Sequence, residues 1–351
     1  MSIVNLVRTD LQQKIYEAGK KQALPIRLHL NELAWEIPSA FGRPLNHYPC
    51  RTLWNELCAD LAGKYQLPVD YITLTRGADD GIDLLFRLFL QSGCDGILQC
   101  SPTFFMYEFY ANLQGCLVYD CPLNPEDNFK FCINQITAQW QATCKIILLC
   151  SPNNPTGNSP TINQIRELCR VFKNRAAIVI DEAYIEFSAQ ESAVSLIEEC
   201  DNLIILRTLS KAYGLASLRV GAVIAQPDII AALNQIAPPY PLSSIVMQQA
   251  LSCLKHESRF KAYLTATQSA RAQLFSALSQ CALIDKVYPS EANFLLVKTR
   301  YASTINQALS NVGISIKNFS QPNLQHYLRF TVGTPAQNEL LLKTLMLCEA
   351  L

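Results

Sequence analysis

A chain of 351 residues, half of them apolar and 17% charged, has enough material for two lobes or for one large and one small domain, and is too apolar to stay disordered. Its 29 basic side chains balance 29 acidic ones, which excludes a polyanion-binding surface or an acidic tail, so nucleic acid is not an expected partner. Fourteen cysteines stand without a CxxC pair or a Cys/His cluster at metal-ligand spacing, so neither a metal site nor a disulfide framework is indicated, and no apolar run approaches the ~18 residues of a membrane span. The N-terminus lacks a basic segment followed by a long apolar stretch. The expectation is a soluble cytoplasmic protein with buried, reduced cysteines.

Residues 1–25 read as an arm that packs on the small domain or on a partner. From about residue 72 to 225, short apolar runs alternate with helix-length amphipathic stretches, the pattern of a mostly parallel sheet with helices on its faces. Strands are expected at 71–74, 97–100, 117–119, 145–150, 177–181, 203–207 and 220–225, and helices at 79–91, 105–114 and 161–172. Beyond the proline-rich loop 237–244, one unbroken helix is expected over 244–278, since no proline or glycine interrupts it. Short strands follow at 283–288, 293–298, 314–316 and 327–332, with helices at 302–312 and 335–347. The predicted organisation is an arm (1–25), a large α/β domain (26–245) and a smaller α+β domain (246–351).

The strand ends hold the residues able to do chemistry, as ligand sites in α/β proteins do. After the run LIILRT come Ser210, Lys211 and Arg219. A lysine partly desolvated there has a lowered pKa and an amine free to attack an aldehyde, while a hydroxyl and a fixed positive charge suit a phosphate. An ordinary turn with a solvated lysine is the alternative. Asp181 closes the apolar strand of AIVIDEAY, where a carboxylate needs a cationic or hydrogen-bonding partner. A pyridine nitrogen would serve and would be held protonated, with Tyr184 three positions on able to donate to a ring hydroxyl; a helix cap is the other explanation. The string SPNNPTG makes a rigid, sharply bent loop that aims Asn154 inward. In TRGADD, the amides of Ala78 and Asp79 open a helix and offer an anion site, or simply a cap. Phe104 in SPTFFMY either stacks on a flat ligand or belongs to the core.

Taken in order, TRGADDGIDLL, SPTFFMY, CSPNNPTG, IDEAYIEF and LRTLSKAYGLASLRVG resemble fold-type-I pyridoxal phosphate aminotransferases, most closely the histidinol-phosphate branch. The likeness runs from LHLNE at residue 28 and LNHYP at 45 to PYPLS at 239, SEANF at 290 and LRFTVGT at 328. It implies a mostly parallel seven-stranded sheet flanked by helices, plus a smaller α+β domain, with pyridoxal 5'-phosphate as cofactor. By position, Lys211 is the Schiff-base lysine, Asp181 the partner of the ring nitrogen, and Asn154 and Tyr184 partners of the ring hydroxyl. Phe104 stands where a stacking tyrosine is usual. Ser210, Arg219, Ala78 and Asp79 match the phosphate clamp, and Tyr48 matches a tyrosine that reaches the neighbouring subunit's cofactor, so a homodimer is implied. Tyr16 and Arg329 match residues that hold the substrate's anionic end. GISIK offers Lys317 where the family usually has arginine, which keeps the charge and loses the bidentate fork.

The implied reaction is transamination of L-histidinol phosphate with 2-oxoglutarate, giving imidazole acetol phosphate and glutamate in histidine biosynthesis. The rivals are an aromatic amino acid aminotransferase, a lyase resembling threonine-phosphate decarboxylase, and a non-catalytic relative. The intact Lys211, Asp181 and Asn154 weigh against the last.

Overall fold

The apolar runs of the first half form a seven-stranded sheet in the computed structural model, which describes residues 3–8, 11 and 45–349. In chain order the elements are α1 (Arg51–Lys64), β1 (Ile72–Thr75), α2 (Ala78–Phe89), β2 (Gly96–Gln99), α3 (Met106–Leu113), β3 (Leu117–Asp120), α4 (Ile133–Gln139), β4 (Cys144–Cys150), α5 (Ile162–Val171), β5 (Ala177–Asp181), β6 (Leu203–Thr208), β7 (Gly221–Ile224) and α6 (Pro227–Ile236). The strands lie in the order β1-β7-β6-β5-β4-β2-β3; β7 runs antiparallel to both its neighbours, and all the other pairs are parallel.

Strands β5 and β6 are buried along their whole length, because helices cover both faces of the sheet. The period of two still shows in what each residue touches. Ile147, Leu149, Ile178 and Ile180 join a core with Leu53 and Leu57 of α1 and Leu168 of α5. Ile146, Leu148 and Val179 join a second core with Leu85, Phe86 and Phe89 of α2. A capping box between Thr161 and Gln164 fixes the start of α5.

The second half supplies α7 (Ser244–Leu254), α8 (Glu257–Ser279), β8 (Lys286–Val287), β9 (Phe294–Lys298), α9 (Ala302–Asn311), β10 (Lys317–Asn318), β11 (Tyr327–Thr331) and α10 (Pro335–Glu349). Its four strands form an antiparallel sheet in the order β10-β11-β9-β8.

Several elements depart from the sequence reading. The helix expected over 244–278 is two helices, separated at Lys255 and His256, whose ψ of 50° is not helical. The two halves bury different faces: Met247, Ala250 and Leu254 join the core of α1, whereas Leu274 and Leu278 join that of Val287, Leu295 and Phe330. A straight helix could not serve both. The third strand of the small sheet begins at Lys317, after the 314–316 expected, and the first is only Lys286–Val287. Helices α1, α4 and α6 were not predicted, although Pro227 at the first position of α6 is a start signal. No helix among the described residues is long and apolar enough to cross a membrane.

Candidate active site

The carboxyl ends of β4, β5 and β6 and the start of α2 enclose one cavity. It is lined by nine of the ten residues singled out for the cofactor: Ala78, Asp79, Phe104, Asn154, Asp181, Tyr184, Ser210, Lys211 and Arg219.

One end of the cavity is built for an anion. Gly77 turns the chain from β1 into α2 with φ +81°, and a Cβ there would stand 2.6 Å from Arg219 Nη2, so only glycine lets the guanidinium lie across the turn. A Cβ on Gly221 would meet Gly77 at 2.5 Å; the two glycines thus allow β7 to press against the helix start. Gly77 has no side chain with which to cap α2, which leaves the first-turn amides of Ala78 and Asp79 available to a ligand. Arg219 Nη1 donates to Ser210 Oγ at 3.0 Å, and Thr208 Oγ1 lies 3.0 Å from the same hydroxyl. The Asp79 carboxylate touches Arg219 only loosely, at 3.4 Å.

The middle of the cavity holds a carboxylate that, among the described residues, no cation touches directly. Asp181, the last residue of β5, is 2% exposed. Its carboxylate accepts from Tyr107 Oη at 2.7 Å and from the Ala183 amide at 3.0 Å, both neutral donors. Burial pushes its pKa up to about 6, against the pull of those two hydrogen bonds. Lys211, an exposed residue of the cavity wall, holds its amine 5.5 Å from the centre of the Tyr184 ring. Desolvation, followed by the repulsion of Arg329, lowers the lysine pKa, so the neutral amine is more accessible than in an ordinary lysine. Burial holds the Tyr184 phenol well above its usual range, and it therefore remains a proton donor. Phe104 and Tyr107 pack in a T shape, their ring centres 5.5 Å apart.

Toward the small sheet, Arg329 of β11 donates to Asn154 Oδ1, which leaves the Asn154 amide nitrogen to face another partner. The guanidinium lies 5.0 Å over Phe294, its Nε has no hydrogen-bond partner, and desolvation lowers its pKa. Among the described residues no carboxylate pairs with it. Lys317 stands opposite Arg329 in the β10–β11 register, hence on the same face of the sheet. It is exposed and does not line the cavity; its ammonium is 5.7 Å from the Phe319 ring. Tyr48 is also outside the cavity, exposed and stacked on Tyr240 at 4.7 Å. Tyr16 lies outside the described residues.

Tyr107, Thr208 and Cys150 belong to this site and escaped the sequence reading. So did Asn153, which is 1% exposed and bonds Thr103 Oγ1 at 2.8 Å, the Pro102 carbonyl at 2.8 Å and Thr156 Oγ1 at 2.7 Å. It ties the loop carrying Phe104 to the one carrying Asn154. The doubled Asn of SPNNPTG was the available signal, one side chain for the scaffold and one for the cavity.

The model of the class I and II aminotransferases matches residues 10–345. The chain belongs to that family. It is 46% identical over 347 residues to histidinol-phosphate aminotransferase 1 of Legionella pneumophila, covering 98% of this chain and 95% of the relative. Among solved structures it resembles the histidinol-phosphate aminotransferase from Sinorhizobium meliloti in complex with pyridoxal-5'-phosphate (TM-score 0.78, 20% identity, 86% and 83% of the two chains covered). It also resembles the L-threonine-O-3-phosphate decarboxylase from Porphyromonas gingivalis (TM-score 0.72, 23% identity, 85% and 89% covered). At those identities the two structures share the fold, and fold alone does not choose between transfer and decarboxylation.

Pyridoxal phosphate is the cofactor of the family, and the cavity fits it. A buried carboxylate with only neutral donors answers a pyridinium nitrogen, and the glycine-floored turn beside Ser210 and Arg219 answers a phosphate. Lys211 has the lowered pKa that an amine attacking an aldehyde requires.

Proposed function

We propose that this chain transfers the amino group of L-histidinol phosphate to 2-oxoglutarate, yielding imidazole acetol phosphate and glutamate. The observation that carries the reading is the likeness to the Legionella enzyme over nearly the whole of both chains. The cavity adds a chemical reason, since it gathers the amine, the carboxylate and the anion cradle that such a transfer needs.

Pyridoxal phosphate, once bound, supplies a carbonyl for the amine and a protonated ring that accepts the electron pair left when the substrate's α-proton departs. Ser210, Arg219 and the amides of Ala78 and Asp79 would hold its phosphate, and Phe104 would pack against the ring. Asp181 would hold the proton on the ring nitrogen, while Asn154 and Tyr184 would bond the ring hydroxyl. Lys211 Nζ, with its lowered pKa, would be the base that carries the substrate's α-proton to the cofactor. Arg329 binds the anionic end of each substrate in turn, a phosphate and then a carboxylate, with Lys317 and Tyr16 adding to that site. The large domain carries the cofactor and the small domain the Arg329 strand. We place this activity in a cytoplasmic homodimer in which Tyr48 completes the partner's phosphate site.

Glutamate formation by the purified, cofactor-loaded protein tests the reading, with L-histidinol phosphate, phenylalanine and O-phosphothreonine as separate donors. Strong preference for histidinol phosphate is expected. Preference for phenylalanine, or release of carbon dioxide from phosphothreonine without glutamate, contradicts it.

A further inference from the structure

The Asp181 carboxylate has a second partner that the roles above leave unexplained. Tyr107, on α3, is completely buried, 0% exposed, and its hydroxyl reaches Asp181 Oδ2 at 2.7 Å from the side of the sheet where Phe86 and Phe89 pack. A phenol in such surroundings needs one polar partner, and this one has taken the carboxylate on which the ring nitrogen depends.

We propose that Tyr107 is a positioning residue for Asp181: its hydroxyl fixes one carboxylate oxygen and keeps the group ionised where, among the described residues, no cation bonds it directly. The inference rests on the reading that the cofactor's ring nitrogen faces Asp181. The Ala183 amide fixes the other oxygen at 3.0 Å, so the two donors clamp the carboxylate plane and leave its remaining lone pairs for a third. Burial, followed by the nearby Asp181 charge, holds the phenol well above its usual range, so it remains a donor and cannot take the carboxylate's place as the anion. The other groups around Asp181 come from different elements: Asp79 of α2 opposes its ionisation and Lys211 after β6 favours it. Cys150 of β4 also touches the Tyr107 hydroxyl, and burial keeps its thiol protonated. Tyr184 is likewise neutral. Tyr107 is therefore the one side-chain hydrogen bond that favours the Asp181 anion.

The test is the titration of the Asp181 carboxyl in the cofactor-free protein, followed by carbon NMR and assigned by the loss of its signal in Asp181→Asn. Tyr107→Phe keeps the ring and removes only the hydroxyl; its midpoint is expected to rise by roughly one to two pH units. Fluorotyrosine at position 107, a stronger donor, is expected to lower it, and this variant decides the matter should Tyr107→Phe fold poorly. An unchanged midpoint in both overturns the proposal. In the loaded protein, labelled ring nitrogen should read as protonated in the wild type and less so in Tyr107→Phe. A wild-type nitrogen without its proton would contradict the cofactor reading, and the cofactor-free titration would still decide the role of Tyr107.

Discussion

Asp181 and Glu182 are consecutive, equally buried carboxylates with opposite surroundings. Glu182 is fully partnered: Arg207 Nη1 at 2.8 Å and Ser192 Oγ at 2.6 Å bond one oxygen, and the Ala193 amide at 2.6 Å bonds the other. Arg207 also pairs with Glu186 at 2.8 Å and lies 4.5 Å over the Tyr65 ring. On the other side of the strand end, Asp181 has only neutral donors, and among the described residues neither Lys211 nor Arg329 has a carboxylate within salt-bridge distance, whereas Arg207 has two. One side carries its counter-charges within the chain; the other waits for them in a ligand. The two carboxylates are equally buried, so it is the missing partner that marks function.

Substitutions sharpen that contrast. Lys211→Ala should lower amino transfer by at least about 1000-fold and remove the visible absorbance of the loaded protein, with folding unaffected by circular dichroism. Arg207→Met, on the partnered side, should instead cost about 3–5 kcal/mol of folding stability in urea, because two buried carboxylates lose their cation. If it unfolds no more readily than wild type, the two sides do not differ as described.

Asp181→Asn should separate stability from activity. The folded pKa, about 6, lies above the ordinary 3.8, so this group's contribution to folding is complete below the lower value and is lost as pH rises through the higher one. Near pH 8 the cofactor-free variant should therefore be more stable than wild type, by roughly 3 kcal/mol at most, with the gain vanishing near pH 4. Its turnover should fall about 100-fold. The smallest effect is expected from Lys317→Arg, a few-fold decrease in KM for phosphate-bearing substrates with kcat unchanged.

What the sequence revealed and what it hid follow from distance along the chain. Strand ends, the glycine-bearing turn and the SPNNPTG loop are local events, each a few residues that announce their own geometry. Tyr107 and Arg207 sit in apolar runs, and their meaning lies in partners 74 and 25 residues away. The break at His256 carries neither proline nor glycine; it comes from the two cores that α7 and α8 must reach. Lys317 matches a substrate-binding position in the family, and its exposure depends on where a two-residue strand begins.

The most direct test of the account is to reduce the cofactor-loaded protein with borohydride, digest it and locate the pyridoxyl group by mass spectrometry. The account predicts modification of Lys211, in the peptide that follows β6. Modification of Lys317 or another lysine in its place, or none at all, would contradict it.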